Sequence, residues 1–265
     1  MAVGWDVRQN MLRTMLMPQN MHARFRVMSM NIHKGVSPLY RHATIDQLRQ
    51  QMRLLHPDLL FLQEVQQKHR MHVRRFAQWP TEKLTCFLAQ DFWYYWHYGK
   101  NVAYPHGHHG NAILSRYPLE QGRNYDISAY HFEQRGLLHA VIQFKNQKLI
   151  HCFCVHLALF EGGRKRQLGE IIRYVTQLAG EGPAIVAGDF NDWRNRASSR
   201  MQAIGFREVF EVLTGSPAKT FPSIKPLLPM DRIYVRGLKV HTAEILHEWR
   251  TLSDHLGITA ELEIP

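Results

Sequence analysis

Three cysteines in 265 residues are too few for a disulfide framework, and an odd number cannot all pair. Cys152 and Cys154 lie two apart in a strand-like run and Cys86 falls in a helical pattern, so buried thiols in a reducing cytoplasm are expected. Long apolar runs are missing too. Residues 92–96 form one of the longest, far below the ~18 consecutive apolar residues of a membrane-spanning helix. The first 23 residues lack the ~7–15-residue apolar core of a secretory signal, Met15-Leu16-Met17 being the nearest approach. No internal repeat, Cys-x-x-Cys or His-Glu-x-x-His occurs, which leaves zinc without its usual spacings. Acids are scarce: 22 Asp plus Glu face 33 Lys plus Arg, a formal net charge of +11. That imbalance points to an anionic partner, whether nucleic acid, a phospholipid surface or a small phosphorylated molecule.

What is present is an ordinary globular composition, 45% hydrophobic and 21% charged, which excludes wholesale disorder. Strand-like runs occupy residues 24–32, 58–65, 94–99, 111–115, 136–144, 148–157, 184–188, 232–235, 239–246 and 257–264. Helical periodicity covers residues 43–55, stopping before Pro57, then 81–92 and a basic amphipathic stretch at 162–178. Asn146-Gln147 predicts a hairpin between its flanking runs. Residues 216–229 carry four prolines and read as a long loop of the kind that is often functional. Hairpins interleaved with helices predict layered α/β packing rather than a doubly wound parallel sheet. One domain is expected over residues 24–265, after a poorly ordered extension (residues 1–23) or a start placed upstream of the true one.

The chemistry sits where apolar strands end in polar residues. Phe25, Val27 and Ser29 lead along one face to Asn31, residues 59–63 lead to Glu64, and residues 152–155 lead to His156. Residues 184–187 lead to Gly188, Asp189 and Asn191, Asp231 opens a late strand, and Asp254-His255 precedes the last one. Singly, each is an ordinary turn, cap or rim residue. Together they offer what a metal-assisted hydrolase needs: oxygen ligands for a hard cation such as Mg²⁺, and imidazoles held by carboxylates.

Met30-Asn31-Ile32-His33-Lys34-Gly35, Leu62-Gln63-Glu64, Gly110-Asn111-Ala112-Ile113-Leu114-Ser115-Arg116, Val155-His156-Leu157, Gly188-Asp189-Phe190-Asn191, Asp231-Arg232-Ile233 and Ser253-Asp254-His255 follow one another in order. This set resembles the endonuclease/exonuclease/phosphatase superfamily, the deoxyribonuclease-I-like fold, and within it an uncharacterised bacterial branch. The resemblance implies a four-layer α/β sandwich, two mixed, mostly antiparallel sheets packed face to face with helices outside. It also implies a Mg²⁺-dependent phosphodiesterase, with Mn²⁺ as a possible substitute and one or two ions.

By the same resemblance Glu64 is the principal metal ligand, with Asn31 and Asp254 nearby, and Asp231 partners His255. Asp189 and Asn191 orient or deprotonate the attacking water, and His156 hydrogen-bonds the scissile phosphate. Arg135, His109, Asn111 and His33 are substrate-binding candidates; His33 stands where several members carry a carboxylate. Either Asp189 or His255 could take the water's proton. His106, His108 and His109 read as a glycine-rich loop leading into the Asn111 strand. Arg164, Lys165 and Arg166, like Arg194, Arg196 and Arg200, follow motif strands and are expected to contact phosphate, and Trp193 could stack on a base. Nucleic acid is the leading substrate, a phospholipid headgroup or small phosphorylated metabolite the second, and a catalytically inactive binding scaffold the third. The chain is expected to be a monomer with no transmembrane segment, peripheral membrane contact being compatible with its charge.

Overall fold

The computed structural model describes residues 24–39, 41–77, 79–143 and 148–265. In chain order the strands begin with β1 (Arg24–Asn31), β2 (Leu59–His69), β3 (Tyr95–Tyr104), β4 (Gly107–Ser115), β5 (Leu119–Asp126) and β6 (Gly136–Gln143). They continue with β7 (Leu149–His156), β8 (Ala184–Asp189), β9 (Arg207–Glu208), β10 (Asp231–Arg236), β11 (Lys239–Ile245) and β12 (Ile258–Glu263). The α-helices are α1 (Ile45–Leu55), α2 (Arg70–Arg75), α3 (Leu84–Ala89), α4 (Glu161–Ala179), α5 (Arg196–Gln202) and α6 (Val209–Thr214).

Two six-stranded mixed sheets result, ordered β11-β12-β1-β2-β4-β3 and β5-β6-β7-β8-β10-β9. Alternation along each strand decides which layer a side chain enters. Phe25 and Val27 of β1 join Leu138, Cys152, Cys154 and Ile185 in the core between the sheets. Met28 and Met30 point the other way, to Leu48 and Met52 of α1 and Leu84 and Leu88 of α3. On the far side Phe153, Val155 and Val186 pack under Leu168, Ile171 and Val175 of α4 and Met201 of α5. Because both faces of both sheets are apolar, helices must cover them, and the four-layer sandwich follows. α1 buries Ile45, Leu48 and Met52 at helical spacing and ends at His56, left-handed at φ 55°, just before Pro57. Among the described residues no helix is long and apolar enough to cross a membrane.

Several expectations need correction. The helix expected over 81–92 shortens to Leu84–Ala89. β2 continues past Glu64 to His69, and it pairs with a β4 that already begins at Gly107. The histidine-rich segment is therefore the end of a β3–β4 hairpin, not a loop, because Ala103 and Tyr104 pair with His108 and Gly107. β5, α5 and α6 were not anticipated from the sequence. β6 and β7 do pair antiparallel, while the expected turn at Asn146-Gln147 and the N-terminal extension lie outside the described residues.

Asn111 shows how the two sheets are joined below the polar edge. Fully buried, it donates from Nδ2 to the carbonyls of Gly136 at 3.1 Å and Cys154 at 3.3 Å, a strand and its neighbour in the opposite sheet. The amide nitrogen thus bridges the sheets, while Oδ1 is buried with no hydrogen-bond partner among the described residues. Asn111→Ala leaves those carbonyls facing an apolar gap, so unfolding stability should fall by about 1–3 kcal/mol, read from the urea midpoint. An unchanged midpoint would show that the bridge contributes nothing.

Candidate active site

Three neighbouring strands of the second sheet bring their polar ends into line. His156 of β7 lies opposite Asp189 of β8 in parallel register, and Asp189 lies opposite Asp231 of β10 in antiparallel register. Gly188 makes this approach possible, since a Cβ there would sit 1.9 Å from the Val155 carbonyl oxygen. From the first sheet, Asn31 ends β1 and donates from Nδ2 to Asp189 Oδ2 at 3.1 Å. Asp189 Oδ2 also lies 3.5 Å from His156 Nε2 and 3.7 Å from His255 Nε2, while its Oδ1 accepts from the backbone of Asn191 at 2.9 Å. Asn191, left-handed at φ 49°, turns its own amide onto the Leu157 carbonyl at 3.0 Å.

His255 donates from Nδ1 to Asp231 Oδ2 at 2.9 Å. The same carboxylate oxygen accepts from the Thr220 hydroxyl, and the Phe221 ring lies 4.9 Å from the imidazole. Thr220 and Phe221 come from the proline-bearing loop, whose composition marked it as functional without marking these two residues. Burial alone would lower the His255 pKa, but the charges of Asp231 and Asp189 outweigh it and hold the imidazolium up to about 10. Burial pushes Asp189 the other way, above the usual carboxylate range, against the pull of His255. Burial also lowers His156 well below its ordinary value, with Arg135 acting in the same direction, so this ring is neutral.

The His255 proton has a consequence for stability. The folded protein keeps it while the unfolded chain, with its histidine near 6.5, releases it. The stabilisation is complete below about 6.5 and drains away as pH rises toward about 10. Between about pH 7 and about 8.5 the urea midpoint should therefore fall with rising pH, and the slope should flatten in His255→Gln. A wild-type midpoint that is level across this window would contradict the charged pair.

A second carboxylate lies on the facing sheet. Glu64 adopts φ 55° at the irregularity between Leu62 and Val65, which turns its side chain out of the strand pattern. Against the effect of burial, the His156 imidazole, the Lys34 ammonium and His109 hold its carboxyl down at about 2. Lys34 Nζ stands 3.2 Å from Oε2, a partner that lies inside the first motif but that nothing in the local sequence marks as facing Glu64. His33, Lys34 and Gly35 all have positive φ, a backbone strained to present the segment at this edge. His33 donates its backbone N–H to Asn31 Oδ1 at 3.0 Å, and its Nε2 lies 3.7 Å from Asp254 Oδ2. Ser253 closes the ring by donating to the Asn31 carbonyl at 2.7 Å.

Two further candidates reach the same edge. Arg135 donates from Nε to the Leu157 carbonyl at 3.2 Å and from Nη2 to Glu133 at 3.0 Å. The His109 imidazole, pushed down to about 4 by burial despite the Glu64 charge, leaves its Nδ1 buried with no hydrogen-bond partner among the described residues. The basic clusters after the motif strands go elsewhere. Arg194 and Arg196 pair with Glu161, and Arg164 is buried under Trp193 with its guanidinium carbon 4.3 Å from the ring centre. Arg164 also feels the charges of Asp192, Glu133 and Asp189.

Comparison with known proteins shows the family and the fold. The sequence profile of the endonuclease/exonuclease/phosphatase family matches residues 28–255, from β1 through His255. The chain belongs to that family. Like the family's members, it is a hydrolase of phosphoester bonds. It is 41% identical over 250 residues to the uncharacterised protein YbhP of Escherichia coli, covering 93% of this chain and 99% of that one. Among solved structures, an endonuclease/exonuclease/phosphatase from Beutenbergia cavernae superimposes with a TM-score of 0.75 at 20% identity, over 91% of this chain and 72% of that chain. D. rerio TDP2 complexed with a single-strand DNA product superimposes with a TM-score of 0.66 at 18% identity, over 91% and 100% of the two chains. The family is typically dependent on a divalent metal.

Two carboxylate groups here could serve a cation. Ligand atoms of Asp189, Asp231 and His255 lie within 4.8 Å of one another. An imidazolium bonded through Nδ1 to Asp231 has no lone pair to give, so that group is better described as a proton-holding cluster. Glu64 fits a hard cation better: an ionised, largely buried carboxylate whose charge is met by an ammonium.

Proposed function

We propose that the protein is a Mg²⁺-dependent phosphodiesterase acting on nucleic acid. One observation carries the reading: a single buried carboxylate, Asp189, lies between a neutral imidazole and a protonated one, and the neutral one, His156, also acts on the ionised Glu64. A phosphodiester repels nucleophiles, and such a site supplies both a base for water and donors for the phosphoryl oxygens. Asp189, raised toward neutrality, suits the role of base, and Asn191 holds the geometry of its loop. His255, held protonated by Asp231, suits donation to a phosphoryl oxygen rather than proton removal. Neutral His156 is a second donor, and Arg135 a phosphate contact at the rim. Glu64, Asn31 and Asp254 would hold Mg²⁺, which on binding supplies positive charge for the phosphoryl oxygens. His33, near Asp254, and His109, near Glu64, would line the substrate's path.

Nucleic acid is favoured over a lipid headgroup by the net charge of +11 and by the TDP2 structure's single-strand DNA product. The test is a hydrolysis screen over single-stranded DNA, duplex DNA, RNA, phospholipids and small phosphoesters, with and without Mg²⁺ and with Asp189→Asn as control. Mg²⁺-dependent cleavage of an oligonucleotide, lost in Asp189→Asn, is the expected result. Turnover confined to phospholipids or small phosphoesters would replace the substrate, and no turnover anywhere would leave a binding scaffold.

A further inference from the structure

The outer face of the second sheet carries a crevice that the hydrolytic site does not use. It lies between α4 and α5, just beyond the carboxyl ends of β7 and β8, a parallel pair joined through α4. Crevices at the carboxyl ends of parallel strands between crossing helices are recurrent ligand sites. This one has a volume of about 300 Å³, at the lower end of the ~300–1,000 Å³ range of small-molecule pockets.

Its chemistry is two-sided. The floor is apolar: Leu157, Phe190, Leu168 and Ala197, all members of the core cluster beneath the helices. The walls bring together four cations, Arg164 and Lys165 from α4 and Arg196 and Arg200 from α5, with Glu161 and Asp192 as the two acids. The acids are already engaged. Glu161 pairs with Arg194 and Arg196, and Asp192 Oδ2 accepts from the backbone of Ala197 at 2.7 Å. Lys165 and Arg200 form no ion pair among the described residues; Arg200 bonds only the Lys165 carbonyl, at 3.1 Å. Arg164 is 6% exposed and uses Nη1 on the carbonyls of Ala158 and Leu159, with no carboxylate bonded to it. The charges of Asp192, Glu133 and Asp189 act on this guanidinium from nearby, yet none is bonded to it, so among further cations it can take an anion directly. Trp193, whose ring packs on the Arg164 guanidinium that lines the crevice, is 39% exposed, a surface suited to an aromatic body.

We infer that this crevice is a second, non-hydrolytic binding site for a nucleoside monophosphate, its phosphate set among Arg164, Lys165 and Arg200 and its base over the apolar floor beside Trp193. The site stands back to back with the hydrolytic one. Leu157, on its floor, follows His156 and accepts hydrogen bonds from Asn191 and Arg135, and Phe190 separates Asp189 from Asn191.

The inference does not depend on what the enzyme hydrolyses, so it is tested by binding alone. The full chain, without added divalent metal, is titrated calorimetrically with adenosine monophosphate, adenosine, inorganic phosphate and glucose 6-phosphate. Adenosine monophosphate should bind about tenfold or more tightly than any of the other three, because each lacks the base or the phosphate. A Lys165→Ala, Arg200→Ala double variant, both positions lying on the helix surface, should weaken it by about tenfold. His156→Ala should leave the affinity within about twofold. Phosphate or glucose 6-phosphate binding as well as the nucleotide would overturn the base contact. No nucleotide binding, an unchanged affinity in the double variant, or its loss in His156→Ala would overturn the site itself.

Discussion

On the proposed mechanism, His255→Gln is expected to lower kcat by about 10²–10⁴-fold on any substrate the protein turns over, because it removes the imidazolium held beside Asp189. Two features give this change its size. The ring is locked at Nδ1 by a fully buried Asp231, itself held by Thr220, so its Nε2 is pre-aimed at the edge shared with Asp189. Burial would strip the ring of its proton, and the two carboxylates keep it on. Asp231→Asn preserves the shape and removes half of that charge, so it should cost about 10²-fold. Residues that act as one unit are strongly non-additive. The double variant should therefore be no slower than His255→Gln by more than about threefold. If the two losses multiply, Asp231 acts on the reaction independently of His255. Glutamine retains a hydrogen-bonding group for Asp231, and thermal unfolding of each variant separates lost chemistry from lost folding.

Glu64→Gln is the second large effect, and it is directed at the cation rather than the proton. The substitution keeps the size of the side chain and removes a charge held down at about 2 in a largely buried position. Removing a group that merely supports a metal ligand typically costs about 10–100-fold in metal affinity, and removing a ligand's charge should cost at least that. The half-saturating Mg²⁺ concentration is expected to rise by about tenfold or more, and kcat/KM at fixed Mg²⁺ to fall by about 10²-fold. Direct Mg²⁺ titration by calorimetry should show the same weakening with no substrate present. Unchanged Mg²⁺ affinity in Glu64→Gln would move the cation to another group, with Asp189 and Asp231 next to be tested. Lys34 sharpens the test: its ammonium already neutralises Glu64 at 3.2 Å, so Lys34→Met should change the apparent Mg²⁺ affinity in the opposite direction.

Local pattern made much of the fold legible. Apolar runs gave β1, β6, β7 and β8, because their residues face a core on both sides of a sheet. Pro57 gave the end of α1. The misses share one cause. β5, with its polar run Leu119–Asp126, is an edge strand largely open to solvent, so nothing in its composition distinguishes it from a loop. The continuation of β2 and β4 through Lys68, His69, His108 and Gly107 rests on cross-strand pairing, which a single segment does not reveal.

The site divides along the same line. The sequence by itself determined which residue types end the motif strands and in what order, that the chain is basic, and that it lacks zinc and disulfide frameworks. Those are properties of spacing and composition. Tertiary structure alone decided that Asp189 lies opposite both His156 and Asp231, because register between distant strands sets it. It alone set His255 protonated and His156 neutral, since the two imidazoles differ in how many carboxylates reach them through a low-dielectric interior. It withdrew Asn111 into the contact between the sheets. It also gathered Arg164, Lys165 and Arg200 around the crevice between α4 and α5. A helix following a strand covers the outer face of its sheet, whereas the strand's last residue can face inward, so neighbours in sequence came to serve opposite sides of the same layer.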